Sequence, residues 1–429
     1  MKKDAIIWVM LALLMANVFS FTFIVQPAKA ETIIVPVHYT TIQAAVNAAA
    51  LGDTILVLNG TYYEGLHINK SLNLVGENPA ATIIDGHVVI NANNVQFRGF
   101  TVRSGTGGYY GTGLLIDASD GCTVTHNIIT RCIHEYGFGV MMQGSNNNTI
   151  GENLITQNDG IGIELFYDSN YNRIVNNTIS YNHGGIGISD WAGRCVENVI
   201  MDNDIQSTGS ACVSVASCGE KTKIIGNRMT NSPYGIVFYR CSRHTEPVLC
   251  NTTLADNWIA KCGYGIRVDA DFNNITENTV MNCTYGISVC GASTNNTVYH
   301  NNFISNVQQV NMTGANTVWD DGYPSGGNYW SDYNGTDSDG DGIGDTPYII
   351  DEYNQDDYPL MYPRPFMMGD INCDCQVDIY DVTAVCIAYD SQSGDPNWYP
   401  PADIAEPYGI IDIYDVTAVC ISYGKKWPH

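Results

Sequence analysis

The sequence predicts an all-β fold, a right-handed parallel β-helix, because two short phrases recur along most of the chain. An Asn followed by one spacer residue and an apolar residue begins at Asn127, Asn153, Asn177, Asn203, Asn227, Asn257, Asn278 and Asn301. A Gly followed by an apolar residue recurs between these positions, at Gly162, Gly187, Gly235, Gly265 and Gly286. A repeat period of this size is typical of a solenoid.

The composition of the repeated unit favours a β-solenoid over a helical one. Short β-prone runs such as Thr178-Ile179-Ser180 are separated by Asn, Gly and Asp, which are turn formers. The array has no 3.6-residue apolar period, which argues against helical repeats. Each coil then holds three strands, stacked about 4.8 Å from their equivalents in the next coil. The recurring Asn is expected to form a hydrogen-bonded ladder with a structural role.

The N-terminus carries the features of a secretion signal. Lys2 and Lys3 precede a long apolar run, and Ala28-Lys29-Ala30 fits a cleavage site, so residues 1–30 are expected to be removed. An uncleaved anchor is the alternative. No later apolar run is long enough to span a bilayer, and the mature chain is expected to be secreted or at the cell surface. The net charge of −25 argues against a nucleic-acid partner and suits divalent cations.

The chain divides into a capped solenoid and a smaller C-terminal unit. Residues 40–50 have the clearest helical pattern of the N-terminal half, and we expect this helix to cap the first coil. The β-helix is assigned to residues 31–316, with inserted loops at 103–112 and 241–252. Three units follow: an Asp/Gly/Tyr-rich segment at 317–358, a Pro-rich linker at 359–368, and a small domain with short helices at 369–429.

Alignment of the coils on the Asn column predicts two disulfide bonds among the 14 Cys residues. Cys262 and Cys283 each lie five residues after a ladder Asn in adjacent coils. Cys218 and Cys241 occupy equivalent positions after the Gly phrase. Adjacent coils bring equivalent Cα atoms within the range that a disulfide tolerates. Buried free thiols that fill a narrow core are the alternative interpretation.

The C-terminal unit contains a loop with calcium-ligand spacing. Side-chain oxygens recur at loop positions 1, 3, 5, 9 and 12, which are Asp370, Asn372, Asp374, Asp378 and Asp381. Position 7 is Gln376, whose backbone carbonyl is available as a further ligand. This spacing surrounds a hard cation such as Ca²⁺ with six or seven oxygens. Cys375 stands where Gly normally permits the sharp turn, and the last ligand is Asp rather than Glu.

A second copy of this unit follows, because residues 378–387 reappear unchanged at 412–421. Its predicted ligands are Asp403, Asp412 and Asp415. Ala405 replaces a ligand at position 3, and the loop carries one extra residue near Pro407 and Tyr408. We expect this loop to bind Ca²⁺ more weakly than the first, or to be held by packing alone.

Two tandem loop–helix units of this kind resemble a dockerin, and the resemblance covers residues 369–424. The resemblance implies a Ca²⁺-dependent module that docks into a cohesin domain on a scaffold or cell surface. By the same resemblance, the cohesin-facing residues are Ile379 and Tyr380 in the first unit and Ile413 and Tyr414 in the second. The departures in the second loop leave the number of bound ions open.

A third acidic loop precedes the linker. Asp337, Asp339, Asp341 and Asp345 occupy positions 1, 3, 5 and 9, but Tyr348 stands at position 12. The loop resembles the short Ca²⁺ repeats of thrombospondin type 3, and a Ca²⁺ site is expected here.

The solenoid itself resembles the NosD-like family, on the Asn-x-Ile coils, the cap helix and the blocks at 326–333 and 346–351. The resemblance covers roughly residues 32–362 and implies the right-handed β-helix shared with pectin lyases. Family members include a periplasmic protein tied to copper-site maturation and many surface proteins, and the fold alone does not transfer function. Met141, Met142 and nearby His residues are the candidates for copper, should that chemistry apply.

A loose set of polar residues on one edge of the predicted solenoid is the candidate catalytic site: His134, Asp159, Glu164, His183 and Asp190. Their spacing from the ladder Asn residues places them across three coils, near the inserted loop with Tyr109 and Tyr110. In this hypothesis the carboxylates hold a cation that pairs with a uronate, while a His acts as base. The favoured interpretation is a cell-surface or scaffold-attached protein that binds or processes a polysaccharide or cell-surface glycan. Three hypotheses remain open: an enzyme acting on polysaccharide (lyase, epimerase or hydrolase), a non-catalytic surface module, and a copper-maturation protein.

Overall fold

The structure is a computed structural model that describes residues 31–103, 111–133, 136–189, 193–216, 219–240, 250–313, 316–365, 369–372, 376–392, 394–405 and 407–425. Three long parallel sheets wind about a common axis, and each regular coil contributes one strand to each sheet. Within the described residues, sheet 1 has 13 strands, sheet 2 has 12 and sheet 3 has 11. The expected parallel β-helix is therefore confirmed. No helix within the described ranges is both long and apolar enough to cross a membrane.

The strands are short and occur in the same order in every regular coil. Sheet 1 comprises Thr32–Val35, Thr54–Val57, Asn73–Gly76, Gln96–Arg98, Thr123–Thr125, Thr149–Gly151, Arg173–Val175, Val199–Met201, Lys223–Ile225, Thr253–Ala255, Asn274–Thr276, Thr294–Tyr299 and Asn316–Val318. Sheet 2 comprises Gly60–Tyr62, Thr82–Asp85, Thr101–Arg103, Ile128–Thr130, Leu154–Thr156, Thr178–Ser180, Asp204–Gln206, Arg228–Thr230, Trp258–Ala260, Thr279–Met281, Asn302–Ile304 and Tyr329–Trp330. Sheet 3 comprises Leu66–Ile68, Val88–Ile90, Leu114–Asp117, Val140–Gln143, Ile161–Phe166, Gly184–Ile188, Ala211–Ala216, Tyr234–Tyr239, Tyr264–Val268, Tyr285–Val289 and Gln308–Met312.

The apolar residue of each Asn phrase forms the core of sheet 2. Ile129, Ile155, Ile179 and Ile205 are in register in successive strands, and all four side chains are fully buried. Because side chains alternate between the two faces of a strand, the residue two positions after each Asn points inward. One apolar residue per short strand is therefore enough to build a continuous core along the axis.

The predicted Asn ladder is confirmed and lies in the turn between sheets 1 and 2. The backbone N–H and the Nδ2 of Asn127 donate to the Oδ1 of Asn153 at 3.0 and 3.1 Å. The same pair of bonds joins each successive Asn of the column as far as Asn301. These amides are buried, so the ladder satisfies polar groups that would otherwise be unpaired within the turn.

The ladder extends one coil further than the eight phrases identified from the sequence. Asn301 donates to the Oδ1 of Asn328 at 3.1 and 3.0 Å, so the Asp/Gly/Tyr-rich segment supplies the last rung. The Oδ2 of Asp356 then accepts from the backbone N–H of Asn328 at 2.7 Å and from the Nε1 of Trp330 at 2.8 Å. Burial raises the pKa of the Asp356 carboxyl to about 7. A single buried acid thus terminates the ladder.

The residue before each ladder Asn adopts a left-handed backbone conformation. The φ angle is 57° at His126, 56° at Glu152, 55° at Asp202, 57° at Glu277 and 58° at His300. Residues other than Gly reach this region at some conformational cost, which the ladder hydrogen bonds offset. These residues form a column along one flank of the solenoid, which we call the turn column.

The predicted cap helix is present as α1, Ile42–Ala48. Thr41 accepts from the backbone N–H of Ala44 at 3.1 Å, and the Glu64 carboxylate accepts from the N–H groups of Ile42 and Gln43. These acceptors satisfy the free donors of the first helical turn. The buried face of α1 covers the apolar end of the first coil.

Cys262 and Cys283 occupy equivalent turn positions in adjacent coils, as the alignment indicates. The backbone N–H of Cys262 donates to the Sγ of Cys283 at 3.4 Å, and that of Cys283 donates to the Oδ1 of Asn306 at 2.9 Å. The sulfur thus takes the acceptor role that an amide oxygen has in neighbouring coils. Both thiols are buried, and no disulfide joins them in this structure. Cys218 and Cys241 lie outside the described residues.

The disulfide between Cys262 and Cys283 therefore stays a prediction. Protein secreted by its native host should yield one cross-linked peptide containing both residues when digested without reductant, because stacked coils hold the two positions within bonding range. Peptide mapping by mass spectrometry is the measurement. Recovery of both peptides as free thiols from oxidised, freshly secreted protein would establish the packed-thiol interpretation instead.

The C-terminal module, residues 369–425, contains two helices and little regular strand. Helix α2 spans Ile379–Ala388, helix α3 spans Ile413–Ser422, and a short 3₁₀ helix spans Pro400–Ala402. Ser391–Gln392 pairs with Ile410–Ile411 in an antiparallel bridge, and a similar pair in the preceding segment joins Tyr348–Ile349 to Gln355–Asp356.

The C-terminal module packs against the turn column of the solenoid. In the segment predicted as a linker, the Nε of Arg364 lies 2.9 Å from the Oε2 of Glu277, and the backbone of Arg364 exchanges two hydrogen bonds with the Asn302 side chain. The ring of Tyr408, from the module, meets the His300 ring edge-on and lies under the Arg364 guanidinium. The extra residues of the second loop therefore contact the solenoid.

Candidate functional site

The outer face of sheet 3 carries the candidate site. Met141, Glu164 and Gly187 are in register in three successive strands, and their side-chain positions point away from the core. A Cβ at Gly187 would lie 1.9 Å from the Oε2 of Glu164, so the Glu164 side chain fits only because the next coil has Gly at this position. At this coil, the Gly of the repeated phrase therefore leaves the space that the Glu164 carboxyl group occupies.

A cavity of about 520 Å³ opens on this face. Its lining residues are Tyr136, Phe138, Met141, Asp159, Gly160, Ile161, Glu164, Phe166, Tyr167, His183 and Ser189. Asp159 and His183 are exposed at the mouth, whereas Glu164 is buried at the bottom. Phe138, Met141 and Phe166 form an apolar cluster on the outside of the solenoid. A cavity with an apolar wall and a few convergent polar groups is the usual form of a small-ligand site.

The Glu164 carboxyl has an unusual environment. Its side chain is completely buried, the Ser189 hydroxyl donates to its Oε1, and its Oε2 has no hydrogen-bond partner in the described structure. Burial raises the pKa of the Glu164 carboxyl to about 8. The group is therefore protonated at neutral pH, and it places an unpaired hydrogen-bond donor directly beneath the surface of the cavity.

Three of the five predicted catalytic candidates lie together, because Asp159, Glu164 and His183 line the same cavity. His134 and Asp190 lie outside the described residues, as do Tyr109 and Tyr110. Among the residues that the structure describes, the cavity side chains do not form a group of three ligands close enough to share a metal ion. The geometry supports hydrogen bonding in the cavity, and the cation expected there stays a prediction, because His134 and Asp190 lie outside the described residues.

Sequence reasoning did not identify Phe138, Phe166 or Ser189 as site residues. The two Phe side chains occupy outward-facing positions, where a solenoid usually has polar residues. Apolar residues at such positions are the sequence feature that could have indicated a binding site. Ser189 carries no sequence signal, since its role depends on its position beside Glu164 in the next coil.

The acidic loop before the linker gathers three of its four predicted ligands. Oxygens of Asp337, Asp339 and Asp341 lie within 4.8 Å of one another. Burial and the neighbouring Asp charges raise the pKa of Asp341. Asp345 is held apart, because its Oδ2 accepts from the hydroxyl groups of Thr336 and Ser338 at 2.9 and 2.7 Å.

The first loop of the C-terminal module places its predicted ligands around the start of α2. Asp381 is fully buried, and its carboxylate accepts from the N–H groups of Asn372 at 3.1 Å and Asp378 at 2.7 Å. Asp378 caps the helix by accepting from Tyr380 at 2.8 Å. Asp370 is buried and Gln376 is half-buried, whereas Asp374 lies outside the described residues.

The second loop repeats this arrangement with one difference. Asp415 accepts from the N–H groups of Ile404 and Asp412, and Asp412 caps α3. Burial raises the pKa of the Asp403 carboxyl to about 7, and its buried Oδ1 has no hydrogen-bond partner among the described residues. Ile413 and Tyr414, like Ile379 and Tyr380 in the first unit, are more than half exposed, so both predicted partner-facing pairs remain accessible.

The family model described as periplasmic copper-binding protein (NosD) matches residues 46–234 and 193–335, which together cover more than half of the chain. The chain belongs to the NosD family. The predicted family resemblance is thereby confirmed for the solenoid. The match ends before the C-terminal module.

Two curated relatives bear on this NosD-family chain. A cell surface glycoprotein of Methanothermus fervidus is 31% identical over 346 residues, which are 75% of this chain and 56% of that protein. A probable ABC transporter binding protein NosD of Pseudomonas aeruginosa is 39% identical over 95 residues, which are 22% of this chain and 21% of that protein. The chain thus spans about half the length of the first relative and about a fifth of the second.

Solved structures resemble this NosD-family solenoid at low identity. The A-module of the mannuronan C-5 epimerase AlgE6 of Azotobacter vinelandii is 15% identical with a TM-score of 0.43, over 65% of this chain and 94% of that one. A tailspike protein of the E. coli bacteriophage HK620, in complex with a hexasaccharide, is 12% identical with a TM-score of 0.48, over 68% of this chain and 61% of that one. Likenesses at this level say nothing about a substrate.

Among its described residues, this NosD-family chain does not bring together a group of three His or Cys ligands. Copper favours sulfur and imidazole ligands, and the three-carboxylate group at Asp337 is a hard oxygen set. Of the predicted candidates, Met142 is fully buried in the core, while Met141 and His183 line the cavity. His134, the remaining candidate near this edge, lies outside the described residues, so the copper alternative stays a prediction.

Proposed function

We propose that this chain is a cell-surface or cell-envelope protein that binds polysaccharide on the outer face of sheet 3. The observation that carries the proposal is the cavity, in which a neutral Glu164 carboxyl lies beside an apolar wall and beneath the exposed Asp159 and His183. Sugars present hydroxyl groups and apolar C–H faces together, and this lining offers a partner for each. The description of the family as periplasmic and the surface relative support the location.

We expect Glu164→Gln and His183→Ala to change glycan recognition without changing the fold. Loss of the His183 imidazole should weaken binding by about tenfold, because one hydrogen bond at the mouth is removed. Wild-type binding should fall as pH rises through about 8, since the Glu164 donor is lost on ionisation, and Glu164→Gln should remove this pH dependence. A glycan array followed by calorimetric titration and product analysis is the measurement.

Glu152→Gln provides a matched control, because Glu152 is exposed on the turn column, away from the cavity. It should bind like the wild type at every pH. If the wild type binds no glycan, or if His183→Ala binds as tightly as the wild type, the cavity is not the glycan site. Product analysis of the same mixtures decides between an enzyme and a binding module.

The C-terminal module is proposed to be a dockerin-like Ca²⁺ module that attaches the solenoid to a cohesin. Support comes from the two matched loop–helix units and from their exposed apolar pairs, Ile379–Tyr380 and Ile413–Tyr414. Buried Asp370 and Asp381 crowd negative charge into one loop, and a bound ion would neutralise it. The Asp337 group is proposed as a further Ca²⁺ site on the same reasoning.

We expect Ca²⁺ to raise the melting temperature of the C-terminal module, because ion binding contributes directly to its folding free energy. Asp370→Ala should lose most of this gain, whereas Asp403→Ala, at the equivalent position of the altered second loop, should lose less. Asp374→Ala, in the first loop, is likewise expected to lose more stability than Asp403→Ala. Differential scanning calorimetry of the full chain in Ca²⁺ and in chelator measures the effect. Equal melting curves in the two conditions would disprove Ca²⁺-dependent folding.

A further inference from the structure

A second feature lies on the outer face of sheet 3, further along the solenoid than the cavity. Tyr234, Tyr264 and Tyr285 are in register in three successive strands, and we call them the tyrosine strip. Their rings stack with centroids 5.2 and 4.7 Å apart. All three side chains are half-buried, so part of each ring remains accessible. Stacking fixes the rings, which reduces the entropy that a ligand must overcome on binding them.

Arg267 lies beside the tyrosine strip. Its guanidinium carbon is 5.9 Å from the centre of the Tyr234 ring and 6.0 Å from that of Tyr264, within the range of a cation–π contact. In the described part of the chain no carboxylate forms an ion pair with Arg267, whereas Arg228 and Arg240 each pair with an Asp. In a chain of net charge −25, this guanidinium lies against the Tyr rings and beside the Cys290 thiol, without a carboxylate partner among the described residues.

The same column of sheet 3 connects Arg267 to the cavity. Glu164, Gly187, Ser214, Val237 and Arg267 are in register in five successive strands. Four strand spacings separate the two ends, a distance of about 19 Å. Ser214 and Val237 are half-buried and short, so the described side chains of this column leave an open path between the two ends. A linear molecule that follows the solenoid axis can contact both.

We propose that Arg267 and the tyrosine strip bind an acidic sugar of an extended polysaccharide, another unit of which occupies the cavity. This inference rests on the proposed glycan-binding function and adds the charge and the minimum length of the ligand. A guanidinium forms two parallel hydrogen bonds to a carboxylate or sulfate, which a neutral sugar does not offer. The cavity supplies a neutral donor and an apolar wall, so charge recognition is assigned to the far end of the path.

The test uses the full chain and oligouronates from dimer to octamer, each with its methyl-esterified counterpart. Wild-type affinity should increase sharply at the length that first spans the path, and should be weaker for the neutral esters. Arg267→Gln should weaken binding of the longer acids by roughly tenfold to a hundredfold, leaving the esters unaffected. Arg267→Lys, which keeps the charge but not the planar fork, should give an intermediate loss. Arg173→Gln, on the exposed face of sheet 1, is the control.

The outcomes separate this inference from the proposed function. If the wild type binds acids and esters equally, or if Arg267→Gln binds the longer acids as tightly as the wild type, the acidic-sugar site is wrong while glycan binding in the cavity stands. Thermal melting shows whether Arg267→Gln has lost stability. If it has, the binding of the longer acids by Arg267→Lys decides whether the acidic-sugar site is correct: an intermediate loss supports it, and wild-type affinity contradicts it. Failure of the wild type to bind any glycan on an array would overturn both.

Discussion

Asn203→Ala is expected to destabilise the solenoid by about 3–5 kcal/mol, since it leaves several buried polar groups unpaired. In the wild type, the Oδ1 of Asn203 accepts two bonds from Asn177 at 2.9 and 3.0 Å. The two hydrogens of its Nδ2 are shared among three acceptors: the carbonyl oxygens of Ile174 and Met201 and the Oδ1 of the next rung, Asn227. An Ala side chain replaces none of these bonds, and the turn is closed to water.

Equilibrium denaturant unfolding, followed by circular dichroism, measures this loss. Thr178→Ala, an exposed substitution in the neighbouring coil, is the matched control and should change the free energy of unfolding by less than about 1 kcal/mol. Asn203→Asp should also be strongly destabilising, because it removes the Nδ2 donor and buries a charge. Equal stability of Asn203→Ala and Thr178→Ala would show that the ladder contributes little to the fold.

Asp356→Ala is expected to have a comparable effect at the end of the ladder. Without the carboxylate, the backbone N–H of Asn328 and the Nε1 of Trp330 lose their acceptor in a fully buried site, at a cost of about 3 kcal/mol or more. The last coil of the solenoid should then unfold first. Protection of the Asn328 and Trp330 donors against hydrogen exchange is the local measurement.

The same acid predicts how stability depends on pH. Burial raises the folded-state pKa of Asp356 to about 7, above the value of about 3.9 expected in the unfolded chain. The stabilising contribution of this group is therefore complete below about pH 4 and is lost as pH rises through about 7. Asp356→Asn keeps an acceptor oxygen but cannot titrate, so the stability difference between wild type and variant should shrink or reverse as pH rises. A difference that is constant from pH 4 to 8 would contradict this assignment.

The solenoid was predictable because each residue type that recurs in the sequence has a single physical role in the coil. Asn127 and its equivalents mark a turn, the second residue after each marks the core, and Thr41 with Glu64 fixes the cap helix. The final coil was missed because Asn328 lies in the Asp/Gly/Tyr-rich segment, although its spacing of 27 residues from Asn301 and the apolar Trp330 fit the repeated phrase. Its closing acceptor, Asp356, comes from a distant segment that only the folded structure brings back.

The candidate site was predictable only in part. Asp159, Glu164 and His183 share a cavity because equal offsets from the ladder place residues on one edge of successive coils. Their environment was not predictable, since the burial of Glu164 depends on Gly187 in the next coil and on the outward-facing Phe166. The docking of the C-terminal module was also missed. In the sequence, Tyr408 lies beside the extra residue of the second predicted Ca²⁺ loop, and it was interpreted only as a departure from the ligand spacing. Its contacts are with His300 and Arg364, which are distant in sequence.

The Asn ladder also gives the solenoid a direction. Every bond from one ladder Asn to the next donates toward the C-terminal coil, so these bonds run in one direction, with an acceptor end at Asn127 and a donor end at Asn328. The donor end carries partial positive charge and meets the Asp356 carboxylate, while the acceptor end meets the N–H of Phe100. Because each coil receives and passes on the same bonds, whole coils are interchangeable units between two dissimilar ends. Such an array can lengthen or shorten by entire coils during evolution, in one orientation only, while both ends stay unchanged.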